Sequence, residues 1–271
     1  MALTDKLKAI ADAIREKNGT TDTLTLAQMP DAIINLPSSG GATEPYVEEI
    51  YDSSGNLIDA KLYGYVKIRA YSFKDCSKLS LTSLPSGITS IDKYAFQGCS
   101  ELALTSLPSG ITSIGNYSFD GCSKLALTSL PSGITIIGEC TFQNCSKLAL
   151  TSLPSRITNI GTYSFFKCSE LALTSLPSGI TKVGNYAFQS CSKLALTSLP
   201  SGITSIGYSS FYGCTSLTSL TFEGTPSFIA SNAFSNCSNL TTINVPWAEG
   251  EVANAPWGAT KATINYNYVE S

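Results

Sequence analysis

Apolar residues return along most of this chain on a period that is neither helical nor simply alternating. Phenylalanine falls at 73, 96, 119, 142, 165, 188, 211 and 234, and every gap is 23. Cysteine falls at 76, 99, 122, 145, 168, 191, 214 and 237, in step with it. Counted from each Cys, leucine recurs at offsets 3, 5 and 8, Pro at 9, Gly at 11, Ile at 12 and 15, Tyr at 18 and Phe at 20. In the coil that begins at Cys99 these are Leu102, Leu104, Leu107, Pro108, Gly110, Ile111, Ile114, Tyr117 and Phe119. Short apolar stretches broken by Pro and Gly predict one solenoid coil per repeat, with brief strands at offsets 3–8 and 12–15. Gly at offset 11 predicts a positive-φ turn, a position that Arg156 occupies once.

A fixed period of about 20–29 residues with leucines marks leucine-rich repeats. The spacing here departs from the common L-x-x-L-x-L form, so the residues alone leave open which strand lines the concave side. One coil cannot close a core. Stacked coils bury Leu, Ile, Phe and Cys in ladders about 4.8 Å apart, which for the repeats alone gives a rod roughly 35–40 Å long.

Different patterns flank the repeats. Residues 1–38 read as a small helical module. Its first helix, over 3–17, carries Leu3, Leu7, Ile10 and Ile14 on one face, can be capped by Thr4 or Asp5, and ends at Asn18-Gly19. A second short helix follows around Pro30. This module is too small for a stable core alone, which predicts packing against copies of itself or docking on another protein. Residues 39–62 read as a Ser/Gly linker and a β-hairpin turning at Ser53-Ser54-Gly55-Asn56 that caps the first coil. The solenoid runs over 63–245. Residues 246–271, with Trp247 and Trp257, read as a second cap that closes with a strand at about 262–268.

The recurrent Ile-Gly-x-Tyr-(Ala/Ser)-Phe-x-x-Cys, as in Ile114 to Cys122 and Val183 to Cys191, resembles the BspA-like leucine-rich-repeat family. The resemblance covers about residues 63–245. It implies a right-handed, mainly β solenoid used in adhesion and recognition, and it implies no catalytic residues. The ends carry a second resemblance. Leu3-Thr4-Asp5-Lys6-Leu7 through Gln28-Met29-Pro30, and the closing VPW…APWGA…INY, are similar to modules of tail or minor structural proteins of phages and prophages of gut Firmicutes. That implies a place in a virion.

Composition narrows the chemistry. Lys and Arg number 17 against 20 acids, for a formal charge of -3, so no basic footprint for nucleic acid exists. The chain has no histidine, which removes Ser-His-Asp and Cys-His nucleophile systems and every His-containing metal site. The cysteines lie one per coil rather than in C-x-x-C pairs, so they read as buried small hydrophobes and not as metal ligands or disulfides. No cofactor is expected. Cys140, in the place of a Tyr, reads as the more exposed and more reactive thiol. Charges interrupt the first 17 residues, and no apolar run approaches a membrane span; this predicts a chain without a secretion signal or membrane insertion.

The repeats align with one another, and the alignment exposes what is free to vary. The residue after each Phe is Lys74, Gln97, Asp120, Gln143, Phe166, Gln189, Tyr212 and Ser235. Such a strip is either a solvated turn or a diversified contact surface, with Phe166 and Tyr212 as aromatic anchors and Gln97, Asp120, Gln143 and Gln189 as polar members. Arg156, projecting from its turn, is a further contact candidate. The Tyr ladder at 94, 117, 163 and 186 either stacks sugars or packs at the coil corner with its hydroxyls outward. The resulting expectation is a non-catalytic binding protein whose partner is a cell-surface protein or glycan. It would be a virion-associated protein, found in the virion or in cytoplasm before lysis; the alternative is a bacterial surface or secreted adhesin.

Overall fold

A computed structural model describes residues 46–269. The helical module expected over 1–38, with its self-association or docking role, lies outside the described residues. The described part opens with an antiparallel hairpin of β1 (Tyr46–Tyr51) and β2 (Leu57–Tyr63), paired from Tyr46↔Tyr63 to Tyr51↔Leu57. The Ser80 backbone N–H and hydroxyl both donate to the Ile58 carbonyl, at 2.8 and 2.9 Å. With Ala60 buried and Leu57 and Leu62 packed on the core, the hairpin covers the edge of the first coil.

Twelve short strands follow: β3 (Lys67–Ile68), β4 (Ser90–Ile91), β5 (Ser113–Ile114), β6 (Ile136–Ile137), β7 (Asn159–Ile160), β8 (Lys182–Val183), β9 (Ser198–Leu199), β10 (Ser205–Ile206), β11 (Ser219–Phe222), β12 (Phe228–Ile229), β13 (Thr242–Asn244) and β14 (Thr263–Asn265). Their pairs are all parallel, as in a coil that returns to the same place each turn. The chain is thus a mainly β repeat solenoid. Strands at offsets 14 and 15 form one column and β9, β11, β13 and β14 a second.

The second column corrects the strand expected at offsets 3–8, which forms only in the last coils. The reason lies in side-chain alternation. In most coils offsets 3, 5 and 8 point inward, as at Leu125, Leu127 and Leu130, while Thr128 and Ser129 both face out. Two consecutive outward residues break the period of two that a strand requires. The Cys214 coil instead buries Leu217, Leu220 and Phe222, and the Cys237 coil buries Leu240, Ile243 and Val245. That restores L-x-x-L-x-L and strict alternation.

Glycine at offset 11 also differs from expectation: none of Gly87, Gly110, Gly133, Gly179 and Gly202 has positive φ. The Pro carbonyl at offset 9 accepts the Ile N–H at offset 12, as in Ile111 to Pro108 at 3.1 Å, which closes the turn without a left-handed residue. A Cβ on Gly179 would meet nothing nearer than 3.5 Å, which explains how Arg156 fits. The demanding glycine lies at offset 16. A Cβ on Gly161 would stand 2.6 Å from the Gly138 carbonyl carbon, in the coil before it. We expect Gly161→Ala to destabilise by about 1–3 kcal/mol through overpacking, and Gly179→Ala to be near neutral. Urea melts that rank the two variants equally would refute this assignment. Asp92 and Ala230 show that two other coils house a side chain at offset 16.

The strand ladder has one interruption. Thr112 N–H bonds Thr89 O and Gly115 N–H bonds Ile91 O, and the same two bonds recur at Thr158 and Gly161. Among the described residues neither has a counterpart between the Cys99 and Cys122 coils, so β3, β4 and β5 form one sheet and β6, β7, β8, β10 and β12 another. Across that junction the opposite side of the coil stays joined, with Tyr117, Phe119 and Gly121 each donating to the next coil.

Candidate functional site

Offsets 17 to 22 form the turn that carries the varied residues. Half of its backbone N–H groups bond within the coil, as Ser118 to Gly115 and Asp120 to Tyr117, and the other half reach the next coil. In the Cys99 coil this pairs the five donors from Tyr117 to Gly121. The alternation requires left-handed residues at offset 18, from Tyr71 (φ 63) through Tyr117 (φ 58) to Ser209 (φ 48), and again at offset 22. Left-handed conformation costs a non-glycine residue roughly 1–2 kcal/mol, here offset by bonds between coils.

Inside the turn the Phe side chains form one continuous stack. Ring centroids lie 5.1 to 5.6 Å apart from Phe96 to Phe234, and all those rings are fully buried. The Cys column lies beside it. From Cys99 onward each thiol of the column donates to the carbonyl of the Phe 26 residues earlier, as Cys122 to Phe96 at 3.0 Å and Cys237 to Phe211 at 3.1 Å. All nine cysteines are unpaired thiols, and burial pushes their pKa values up. Cys140 corrects the expectation of exposure: it is 3% exposed, because Tyr117 and Tyr163 occupy the same position on the coils either side. Cys76, at the open end of the column, is the less buried thiol.

Two outcomes follow for the thiols. Burial sets the Cys76 and Cys140 pKa values at about 11, above the ordinary value of roughly 8.5. The folded state therefore holds its protons more tightly. The stability this gives is present below the ordinary thiol pKa and is lost as pH rises through the folded values. Denaturant midpoints should fall above about pH 9. Iodoacetamide with peptide mapping should label Cys76 first in native protein; labelling of Cys140 or the inner column first would contradict the burial order.

The column at offset 21 is a strip with one residue per coil. Tyr212 is 36% exposed, Lys74 is exposed, and Gln97, Asp120, Gln143, Phe166 and Gln189 are half-buried. Members bond along the strip: Gln97 Nε2 donates to Asp120 Oδ2 at 3.0 Å and Asn144 Nδ2 to Asp120 Oδ1 at 3.4 Å. Phe166 stands edge-on to Tyr163, centroids 5.4 Å apart, with Lys167 Nζ 5.1 Å from its ring centre. Arg156 is exposed in the Pro-Ser-Arg turn, and among the described residues no bond or ring contact joins it to the strip. The Tyr residues of offset 18 stack on one another, Tyr94 on Tyr117 at 4.8 Å and Tyr163 on Tyr186 at 4.6 Å.

Three exposed apolar residues escaped the sequence reading. Ile136 is 54% exposed, and Tyr208 and Phe228 are 49% and 40% exposed with centroids 6.2 Å apart. Ile136 and Phe228 fill offset 14, where other coils carry Ser90, Ser113, Asn159, Lys182 and Ser205. That contrast was present in the internal alignment.

This repeat geometry agrees with comparisons against known proteins. The model of the BspA type leucine-rich repeat region, in six copies, matches residues 66–195 and 193–254. The chain belongs to this family. A leucine-rich repeat protein from Bacteroides ovatus is similar at 20% identity, over 84% of this chain and 76% of that one, with a TM-score of 0.42. The T. pallidum leucine-rich repeat protein shares 22% identity over 80% of this chain and 87% of its own, TM-score 0.40. A leucine-rich cell surface protein from Faecalibacterium prausnitzii shares 21% over 84% and 96%, TM-score 0.36. No curated protein matches the chain. Among the described residues there is no helix long and apolar enough to cross a membrane and no grouping of His, Cys, Asp and Glu suited to a metal ion.

Proposed function

We propose that this BspA-type chain is a non-catalytic recognition protein that presents its solenoid to a protein or glycan on a cell surface. The observation that carries the reading is the contrast between offsets 20 and 21. Phe is invariant and buried in eight successive coils, while the next residue, outside the core, is drawn from six types: Gln in three coils and Lys, Asp, Phe, Tyr and Ser in one each. A scaffold fixed by repetition holds such a strip with little ordering entropy to lose on binding. The chain offers no histidine for proton transfer.

The terminal patterns similar to phage and prophage tail proteins favour a virion-associated role, with residues 1–38 as the attachment module. Membership of the BspA-type family favours a second reading, a bacterial surface or secreted adhesin. Tail and lysis genes beside this one would select the first.

The test uses the labelled full-length chain and a panel of gut Firmicutes cells. Some strains should be decorated. Replacing Phe166, Tyr212 and Arg156 together by Ala should weaken the signal about tenfold or more, the loss of a few contact residues, with the melting transition unchanged. Undiminished decoration would move the contact surface elsewhere, and the absence of decoration on every strain would leave an architectural role.

A further inference from the structure

In the Cys191 coil a tyrosine has left its column. The Cys168 coil reads Gly184-Asn185-Tyr186, with Tyr186 at offset 18 stacked on Tyr163 at 4.6 Å. The Cys191 coil reads Gly207-Tyr208-Ser209, which moves the ring one residue back to offset 17. Other coils carry Lys93, Asn116, Glu139, Thr162, Asn185 and Ser231 there. The following coil departs as well, with Phe228 at offset 14 after Lys182 and Ser205. The two departures meet. Tyr208 and Phe228 have ring centroids 6.2 Å apart, their planes 67° to each other, and the residues are 49% and 40% exposed. Asn and Ser fill the same offsets in other coils, so the core asks for neither ring.

The backbone under the pair is held from both sides. The Tyr208 N–H donates to Asn185 Oδ1 at 2.9 Å, and the Tyr208 carbonyl accepts the Tyr186 N–H at 2.8 Å. Toward the next coil the Ser209 N–H donates to Asn232 Oδ1 at 3.1 Å, and Asn232 Nδ2 donates to Ser209 Oγ at 2.9 Å. Phe228 lies on β12, paired to β10 through Ser205. Aromatics fixed in this way lose little ordering entropy when a ligand covers them. Their surroundings are polar and nearly uncharged. At offsets 13, 14 and 17 of the Cys168, Cys191 and Cys214 coils, Lys182 is the single charged residue, and the others beside the pair carry hydroxyls or an amide, among them Asn185, Thr204, Ser205, Ser227 and Ser231. Asn185 Oδ1 is committed to Tyr208, while among the described residues its Nδ2 has no partner.

We propose that Tyr208 and Phe228 form a glycan subsite that takes a neutral pyranose against their exposed rings, with Asn185 and the surrounding hydroxyls bonding the hydroxyls of the sugar. The inference rests on the recognition reading above and chooses glycan over protein as its partner. A pyranose has apolar C–H faces and a rim of hydroxyls. Those features match an aromatic pair bordered by hydroxyl and amide groups, apolar contact supplying affinity and the few polar groups orientation. An acidic sugar would find one cation, Lys182, for its charge. An apolar side chain of a protein would cover the rings but take the neighbouring hydroxyls out of water without bonding them.

The experiment applies the labelled full-length chain to an array of neutral oligosaccharides of glucose, galactose, mannose and N-acetylglucosamine, with sialylated and sulfated glycans alongside. At least one neutral glycan should bind. Tyr208→Asn and Phe228→Ser install residues that other coils carry at these offsets, so both variants should fold and keep the melting temperature. Each should weaken binding of that glycan about tenfold or more, whereas Tyr208→Trp should retain it. Binding to acidic glycans alone, binding to no member of the array, or undiminished binding by the folded double variant overturns the proposal. Cell decoration by the same preparation separates the two readings. Periodate cleaves the vicinal diols of surface sugars and should abolish decoration. Decoration that survives periodate but is lost to protease overturns the glycan subsite alone, and no decoration of untreated cells overturns recognition itself.

Discussion

Phe142→Ala should lower the unfolding free energy by about 3–5 kcal/mol, while Gln143→Ala, its immediate neighbour, should stay within about 0.5 kcal/mol. Phe142 is fully buried, and its ring lies between those of Phe119 and Phe165, with both centroid distances 5.6 Å and interplanar angles of 4° and 10°. Truncation removes two ring contacts and leaves a cavity in a column that cannot close over it, because the coil spacing is set by backbone bonds on both sides, such as Phe119 N–H to Thr141 O and Phe142 N–H to Ser164 O. Gln143 is half-buried, and its side chain makes no hydrogen bond among the described residues. In a solenoid each coil is stabilised by its neighbours, so a weak coil in the middle damages two interfaces. Denaturant melts of both variants decide the matter; equal losses would mean that the inward and outward positions are wrongly assigned.

Trp257→Ala should cost about as much, roughly 3–5 kcal/mol, but with a different spatial signature. Trp257 is fully buried, lies 6.2 Å from Trp247 and 6.1 Å from Phe222, and its indole N–H donates to Ala253 O at 2.7 Å. Its own carbonyl accepts the Phe234 N–H at 2.9 Å, the bond that a next coil would otherwise provide. Trp257 thus replaces the neighbour that the last coil lacks. Without it the Cys237 and Cys214 coils should open first, since the Phe234 N–H loses the carbonyl that holds it and the cap loses its buried indole. Hydrogen exchange should show lost protection at Phe234, Leu240 and Ile243, with Phe96 and Ile111 unaffected. A uniform loss along the chain would instead indicate a fully cooperative array.

Where the candidate surface lies was partly readable from residue order. The repeats supply their own alignment, so a varied position beside an invariant Phe stands out, and Tyr212 and Arg156 are indeed exposed. Cys140 was misjudged because its exposure depends on the coils before and after it. A small residue in place of a ring reads as an opening in one dimension, yet the rings above and below close over it. Ile136 and Phe228 were passed over because an apolar residue beside Ile at offset 15 reads as more core, and only the strand's alternation turns it outward.

The order of residues by itself determined the solenoid, its 23-residue coil, the Phe and Cys columns and the hairpin at Ser53 to Asn56, because these follow from period and turn chemistry within one coil. The tertiary structure alone decided what depends on contact between coils. Offset 16, not 11, carries the crowded glycines, Gly115, Gly138, Gly161, Gly184 and Gly207, since the distance to the preceding coil is a property of the stack. Tyr at offset 18 adopts a left-handed backbone that its side chain disfavours, because alternate N–H groups must reach the next coil. The longer strands at offsets 5–8, β11 and β13, form where leucine spacing permits strict alternation, with Ser198–Leu199 of the coil before paired to them, and the ladder parts between Ile114 and Ile137. Repetition specifies what each coil buries; the distance between coils specifies which of its remaining residues a partner can reach.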